Sequence, residues 1–281
     1  MAITVIAEAG CNHAGSIPIA QEMISVASHY VKADVIKFQK RDIKTSLTQE
    51  EYNRPYNNPN SFGKIYGEHR EALEFTIDQH VDLARHAYDN KIIYSCSVWD
   101  MPSAEEIVGR IDPPIVKIPS ACNLDKNMIE WVYGNSTGEV HISMGMTTQK
   151  EKAMIMGWLL KQDRMRTVVY HCTSAYPCPF NKINLKDIKD YWNWPGAVGF
   201  SGHHLGIAVD MAALAFGATH FERHFTLDRT AKGTDNAASL EPDGMRKMVR
   251  DLHNVNKALM KSDMGLQDIE EEPRKKLKRG I

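Results

Sequence analysis

A closed (β/α)8 TIM barrel is the fold this sequence predicts, and three observations predict it. Eight short apolar runs are each followed by a stretch whose apolar residues recur at helical spacing. The runs are continuous rather than alternating, as strands buried on both faces are. No linker or change of composition divides the 281 residues. Strict strand-then-helix order makes the strands parallel with right-handed crossovers. Eight such units match one barrel of roughly 250 residues. An open doubly wound sheet would carry a G-x-G-x-x-G turn after its first strand. Here GCNHAG has glycines only at 10 and 15.

The elements follow in order. ITVIAE (3–8) is the first strand, and Ile17, Ala20, Ile24 and Ala27 mark the first helix. DVIKFQ (34–39) is the second strand. A polar stretch over 40–74, rich in Asn, Pro and Tyr, separates it from a helix through Val81, Leu83, Ala84 and Ala87. KIIYSCSV (91–98) is the third strand, with Ser103 opening a short helix. IVKIPS (115–120) precedes a helix from about Asp125, and EVHISM (139–144) precedes one over 150–160. TVVYHC (167–172) is followed by a helix over 185–191, and AVGFS (197–201) by an Ala-rich helix over 207–216. THFERHF (219–225) is the eighth strand, and a helix over 245–259 follows. The barrel is expected to occupy residues 1–262, with 263–281 as a charged tail leaving its surface.

The formal net charge is −1, so no basic surface points to nucleic acid or an anionic membrane. The amino terminus lacks the cationic and apolar regions of a signal peptide, and no run approaches a membrane span. Cys11, Cys96, Cys122, Cys172 and Cys178 are odd in number and contain no C-x-x-C pair. They read as reduced thiols, and a cytoplasmic setting is expected.

In such barrels the chemistry gathers at the carboxyl ends of the strands. Every strand end here is polar. Lys37 and Lys117 follow the runs VI and IV, and Ser120, Ser143 and Ser174 stand at neighbouring ends. A buried ammonium needs an anion, and lysines with hydroxyls suit phosphate or carboxylate oxygens. The alternatives are a lysine that snorkels to water, or a Schiff-base lysine with a depressed pKa. His203 and His224 end successive strands, where neutral imidazoles suit a divalent ion. With Glu8 or Asp235 as an oxygen donor the set favours Mn²⁺, Mg²⁺, Co²⁺ or Fe²⁺ over structural zinc. The alternative is a pair of hydrogen-bonded core histidines, as expected for His171. His204, next to His203, is expected to point elsewhere.

IAEAGCNHAG, DVIKFQK, VKIPS, ISMGM, HCTSAYPCP, GFSGHHLG and FERHFTLDR…KGTDNAASLEPD occur in that order. Together they resemble the sialic acid synthase family, the phosphoenolpyruvate-dependent synthases of nonulosonic acids. The resemblance implies condensation of phosphoenolpyruvate with an N-acetylated hexosamine such as N-acetylmannosamine. It places a divalent metal (Mn or Mg, with Co as an option) on His203 and His224. It places phosphoenolpyruvate on Lys37, Lys117, Ser120, Ser143 and Ser174, with Ser97 at the rim. Glu8 matches an acid beside the reacting atoms. Gln39, Tyr176 and Asp235 match sugar-side positions, and Thr173 is grouped with the substrate-binding residues.

Three departures from the family pattern stand out. Gly202 stands where relatives usually have Asp, and Cys122 where they often have Glu. The antifreeze-like C-terminal domain of many members would begin near EPRKKLKRG. It is expected either to be absent or to be supplied by another polypeptide, with Arg70 a candidate substitute for its substrate clamp. The expected partners are small molecules, with a homo-oligomer or a separate antifreeze-like protein as further options. The alternative activities are an octulosonate-type condensation, a Schiff-base pyruvate aldolase and a non-catalytic barrel subunit.

Overall fold

The computed structural model describes residues 2–261 and 265–280. Eight strands run parallel and close into a barrel in sequence order. They are β1 Thr4–Gly10, β2 Val35–Lys40, β3 Ile93–Val98, β4 Ile115–Ile118, β5 Glu139–Ser143, β6 Thr167–Cys172, β7 Ala197–Gly202 and β8 His220–His224. Pairing of β1 with both β2 and β8 closes the ring. The expected single (β/α)8 barrel is therefore the observed fold. The boundary expected at 262/263 lies outside the described residues. Beyond it, residues 265–280 are exposed and include the short helix Glu271–Leu277.

Local chemistry explains where the helices start. Ser16, Thr76, Asp100, Asp125 and Thr148 each cap a helix by accepting a backbone N–H with the side chain. The helix expected to open at Ser103 opens earlier, at Met101. Asp100 is its cap, accepting from the Ser103 amide at 2.8 Å. The polar stretch after β2 is not plain loop. It holds the short helices Ile43–Ser46, Gln49–Asn53 and Tyr66–Glu71, the first two capped by Asp42 and Thr48. Asp100 also accepts from the Asp42 amide and the Ser46 hydroxyl, at 2.8 and 2.7 Å. One carboxylate thus ties two βα loops together. The helix expected over 185–191 is present as a 3-10 helix, Leu185–Tyr191.

Side chains alternate along each strand, so every second one enters the barrel. Ile6, Val35, Ile115, Val168 and Tyr170 form an apolar floor there. Gly199 on β7 makes room for Tyr170, since a Cβ at 199 would lie 2.4 Å from its ring. One step further along the strands the inward residues become charged. That change of character, above an apolar plug, positions the site. Among the described residues no helix is long and apolar enough to cross a membrane.

Candidate active site

A cavity of about 220 Å³ opens at the carboxyl ends of the strands. Its base is a compact charge cluster. Lys37 Nζ pairs with the Glu8 carboxylate, donates to Ser97 Oγ at 2.7 Å and lies 3.6 Å from Glu222. Lys117 Nζ lies 3.1 Å from the same Glu222 oxygen and 3.4 Å from the centre of the Tyr170 ring. Ser201 donates to the other Glu222 oxygen at 3.0 Å. All these side chains are buried.

Burial opposes the charged form of each lysine. It would lower Lys37, but Glu222 and Glu8 together outweigh it, and the Lys37 pKa is raised. Lys117 has one carboxylate in contact and feels the Lys37 charge, so burial prevails and its pKa is lowered. Burial would raise Glu222, but Lys117 and Lys37 hold it well below the usual carboxylate range. Sequence reasoning looked for an outside anion to balance the lysines. The fold supplies carboxyl groups of its own, and Glu222 was not assigned a role. Its only sequence signal is that it lies two residues before His224 on the same strand face.

Ser120, Ser143 and Ser174 line the cavity beside the lysines. Gly145 allows this, because a Cβ there would lie 2.6 Å from Ser174 Oγ and 2.7 Å from Ser120 Oγ. The Gly145 amide donates to Ser120 Oγ at 3.2 Å. Asn123 fixes the turn by donating to the Ser143 and Gly145 carbonyls. It too was missed, since a polar residue bracing a distant turn leaves no local pattern.

His203 and His224 meet over the cavity with ring centroids 5.5 Å apart. Tyr176 packs on both, at 4.2 Å from His203 and 5.7 Å from His224. His203 Nδ1 lies 3.1 Å from the Thr173 carbonyl oxygen. A carbonyl only accepts, so Nδ1 carries a proton and Nε2 is the nitrogen left to face an ion. This backbone partner stands in for the carboxylate that resemblance places at Gly202. Burial would lower the His203 pKa, but Cys172, the Thr173 carbonyl and Glu222 outweigh it and the pKa is raised, so an ion here must displace a proton. His224 Nδ1 is buried without a hydrogen-bond partner, 3.7 Å from Asp235 Oδ2. Unpaired buried nitrogens are rare, and this one, next to a carboxylate, fits a cation. Burial lowers the His224 pKa, which favours the ligating neutral form. Among the described residues these donors do not form a preassembled group of three.

The remaining expected residues divide. Gln39 donates to Glu8 at 2.7 Å and accepts from Arg41 at 2.7 Å. Ser97 and Tyr176 line the cavity. Thr173 is not among the lining residues. Its hydroxyl donates to the Lys182 carbonyl, so its contribution is the backbone support of His203. Cys122 donates to the Trp99 carbonyl, and burial pushes its thiol up to about 12. His171 bonds the Ile183 carbonyl at 2.7 Å, and His204 contacts Arg223 and Asp210. Arg70 and Arg41 share one carboxylate, Glu74, at 3.5 and 3.2 Å. A larger groove of about 690 Å³, around Tyr88, Ile92, Ile93 and Pro113, is lined by none of the strand-end groups.

Comparison with known proteins adds to this geometry. The NeuB family model matches residues 23–264. Human N-acetylneuraminate-9-phosphate synthase is 36% identical over 257 residues, covering 91% of this chain and 70% of that protein. N,N'-diacetyllegionaminic acid synthase of Campylobacter jejuni is 30% identical over 266 residues, covering 91% and 77%. The crystal structure of N-acetylneuraminic acid (sialic acid) synthetase from Leptospira borgpetersenii, in complex with citrate, superposes with a TM-score of 0.83. It is 26% identical and covers 100% of this chain and 94% of its own. A truncated 3-deoxy-D-arabino-heptulosonate 7-phosphate synthase from Thermotoga maritima shares the fold, with a TM-score of 0.69 at 12% identity.

Proposed function

The chain belongs to the NeuB family, and from that premise we propose that its barrel mouth joins phosphoenolpyruvate to an open-chain N-acetylated hexosamine. The products are a nine-carbon 2-keto sugar acid and phosphate. One observation carries the reading: a buried lysine pair and two converging imidazoles share a single cavity with three serine hydroxyls.

In this reading Lys37 and Lys117, with Ser120, Ser143 and Ser174, hold the phosphate and carboxylate oxygens of phosphoenolpyruvate. Charge-assisted bonds from buried ammonium groups suit such an anion. Glu222, in contact with both lysines, and Glu8, in contact with Lys37, offset part of the burial cost and aim the ammonium groups until the anion arrives. The C2=C3 π pair of the enol phosphate forms the bond from carbon 3 to the acceptor aldehyde carbon, whose oxygen becomes a hydroxyl by taking up a proton. Water adds its oxygen to the electron-deficient carbon 2 and gives up a proton. Breaking the carbon–oxygen bond to phosphate completes the keto acid. In this reading Glu8, which contacts Gln39 and Lys37, carries the proton lost by the water to the oxygen of the former aldehyde. His203 and His224, with Asp235 nearby, are the residues that would hold Mn²⁺, Mg²⁺ or Co²⁺. Such an ion supplies Lewis-acid polarisation of the aldehyde and a site for the water. Tyr176 and Gln39 flank the acceptor side.

The acceptor has a second reading. Arg41 and Arg70 share one carboxylate beside Gln39, and burial raises that Glu74 carboxyl to about 7. The resulting positive excess suits a phosphorylated aminosugar. The test is phosphate release from phosphoenolpyruvate with Mn²⁺ across N-acetylmannosamine, its 6-phosphate, other N-acetylated hexosamines and arabinose 5-phosphate. A nine-carbon keto acid by mass spectrometry supports the proposal. Release only with the pentose phosphate would move the chain to the octulosonate type, and release with none would refute the proposal.

A further inference from the structure

We propose that the opposite, amino-terminal end of the barrel carries a second divalent-cation site of the zinc class, formed by Glu139, His141 and His220. The placement follows from strand alternation. Ser143 on β5 and Glu222 and His224 on β8 line the mouth. Residues two and four positions earlier enter the same interior from below. Those residues are His141 and Glu139 on β5, and His220 on β8.

Their donor atoms converge. His141 Nε2 lies 3.0 Å and His220 Nε2 4.0 Å from Glu139 Oε2, and the three donors lie within 4.8 Å of one another. Ligand atoms on a tetrahedral zinc ion, bound at about 2.0–2.1 Å, stand roughly 3.3–3.4 Å apart. Small side-chain shifts close that difference. The two rings stand at 87° with centroids 5.4 Å apart, so they converge rather than stack.

An independent observation concerns the far side of each ring. The Tyr170 hydroxyl lies 2.9 Å from His141 Nδ1, and Thr219 Oγ1 lies 3.0 Å from His220 Nδ1. Without an ion, His141 Nε2–H donates to the Glu139 carboxylate, which can only accept. An ion would take that proton's place, and each hydroxyl can then accept from Nδ1–H while Nε2 offers its lone pair. A metal-bound histidine is held in this way by an outer hydrogen bond. Two imidazoles and one carboxylate, with water completing the shell, are a zinc-type donor set. His141 is buried, but the Glu139 side chain is 45% exposed, which gives the ion an entry path. β5 and β8 are not neighbours in the ring, so an ion here would clasp strands that share no ladder. The amino-terminal face of such barrels serves stability rather than chemistry. The inference does not rest on the reading of the mouth.

The test uses the full chain, stripped of metal, with His203→Ala and His224→Ala so that the mouth contributes nothing. Zn²⁺ is titrated by calorimetry, and Co²⁺ by visible absorption. The expected result is about one equivalent bound, a raised Tm and the strong visible bands of low-coordinate Co²⁺. Glu139→Gln or His220→Asn should abolish binding, and Thr219→Val should weaken it about tenfold. No binding by a chain with normal circular dichroism overturns the proposal. So does one equivalent that persists in His220→Asn. Should the background not fold, wild type is compared with Glu139→Gln. Loss of one equivalent supports the site, and no loss overturns it.

Discussion

At the residue scale the mouth is a problem of four charges and two rings. Glu222 is the counterion common to both lysines. Removing one partner of a buried ion pair leaves the other uncompensated, which costs about 3–5 kcal/mol. Glu222→Gln should therefore lower stability in urea by that order, while the exposed Lys275→Gln should not. His203→Ala and His224→Ala should each cut phosphate release by more than about a hundredfold, with circular dichroism unchanged. The lowered pKa of Lys117 is the one observation that favours a Schiff-base aldolase. Borohydride with pyruvate separates the two readings: our account expects no covalent adduct on Lys117. Much of this was legible in sequence, because Lys37, Lys117, His203 and His224 each end an apolar run. Glu222 was not, since its partner Lys117 lies 105 residues away. Thr173 showed a hydroxyl in the sequence, whereas in the fold its carbonyl does the supporting.

At the element scale, the continuous apolar runs placed all eight strands to within about two residues, the ordinary uncertainty of element ends. Parallel strands buried on both faces leave no other pattern. The loop over 40–74 was harder, because its short helices rest on caps and on Asp100, far off in sequence. Asp100→Ala should remove a cap and the anchor of Ile43–Ser46 together. We expect a loss of about 2 kcal/mol by chemical denaturation, at the top of the range for a single cap. The 3-10 form of Leu185–Tyr191 has no sequence signal that we can identify. Gly199, inside the run AVGFS, is the recess for Tyr170. Gly199→Ala should displace that ring from beneath Lys117 and destabilise by about 1–3 kcal/mol.

At the scale of the whole molecule, the barrel buries imidazoles that have no cationic role. Burial lowers His13 to about 4 and His80 to about 3. His13 stacks on Phe75, and His80 bonds the Tyr94 hydroxyl at 2.7 Å. Between pH 6.5 and those values the unfolded chain binds protons that the folded chain refuses. Stability therefore falls as pH drops through that window, by about 1.4 kcal/mol per pH unit for each histidine, and is independent of them above it. Urea midpoints from pH 7.5 to 4.5 should show this slope, and His80→Gln should reduce it. The same architecture keeps the mouth's polar groups above an apolar floor, where water cannot screen them.

The most direct measurement is phosphate release from phosphoenolpyruvate with N-acetylated hexosamine acceptors, by metal-stripped protein before and after Mn²⁺ is restored. The account predicts phosphate and a nine-carbon keto acid in equal amounts, only with metal and acceptor together, and none from His203→Ala. Equal turnover in the presence of a strong chelator, or full turnover by the His203 variant, would contradict it.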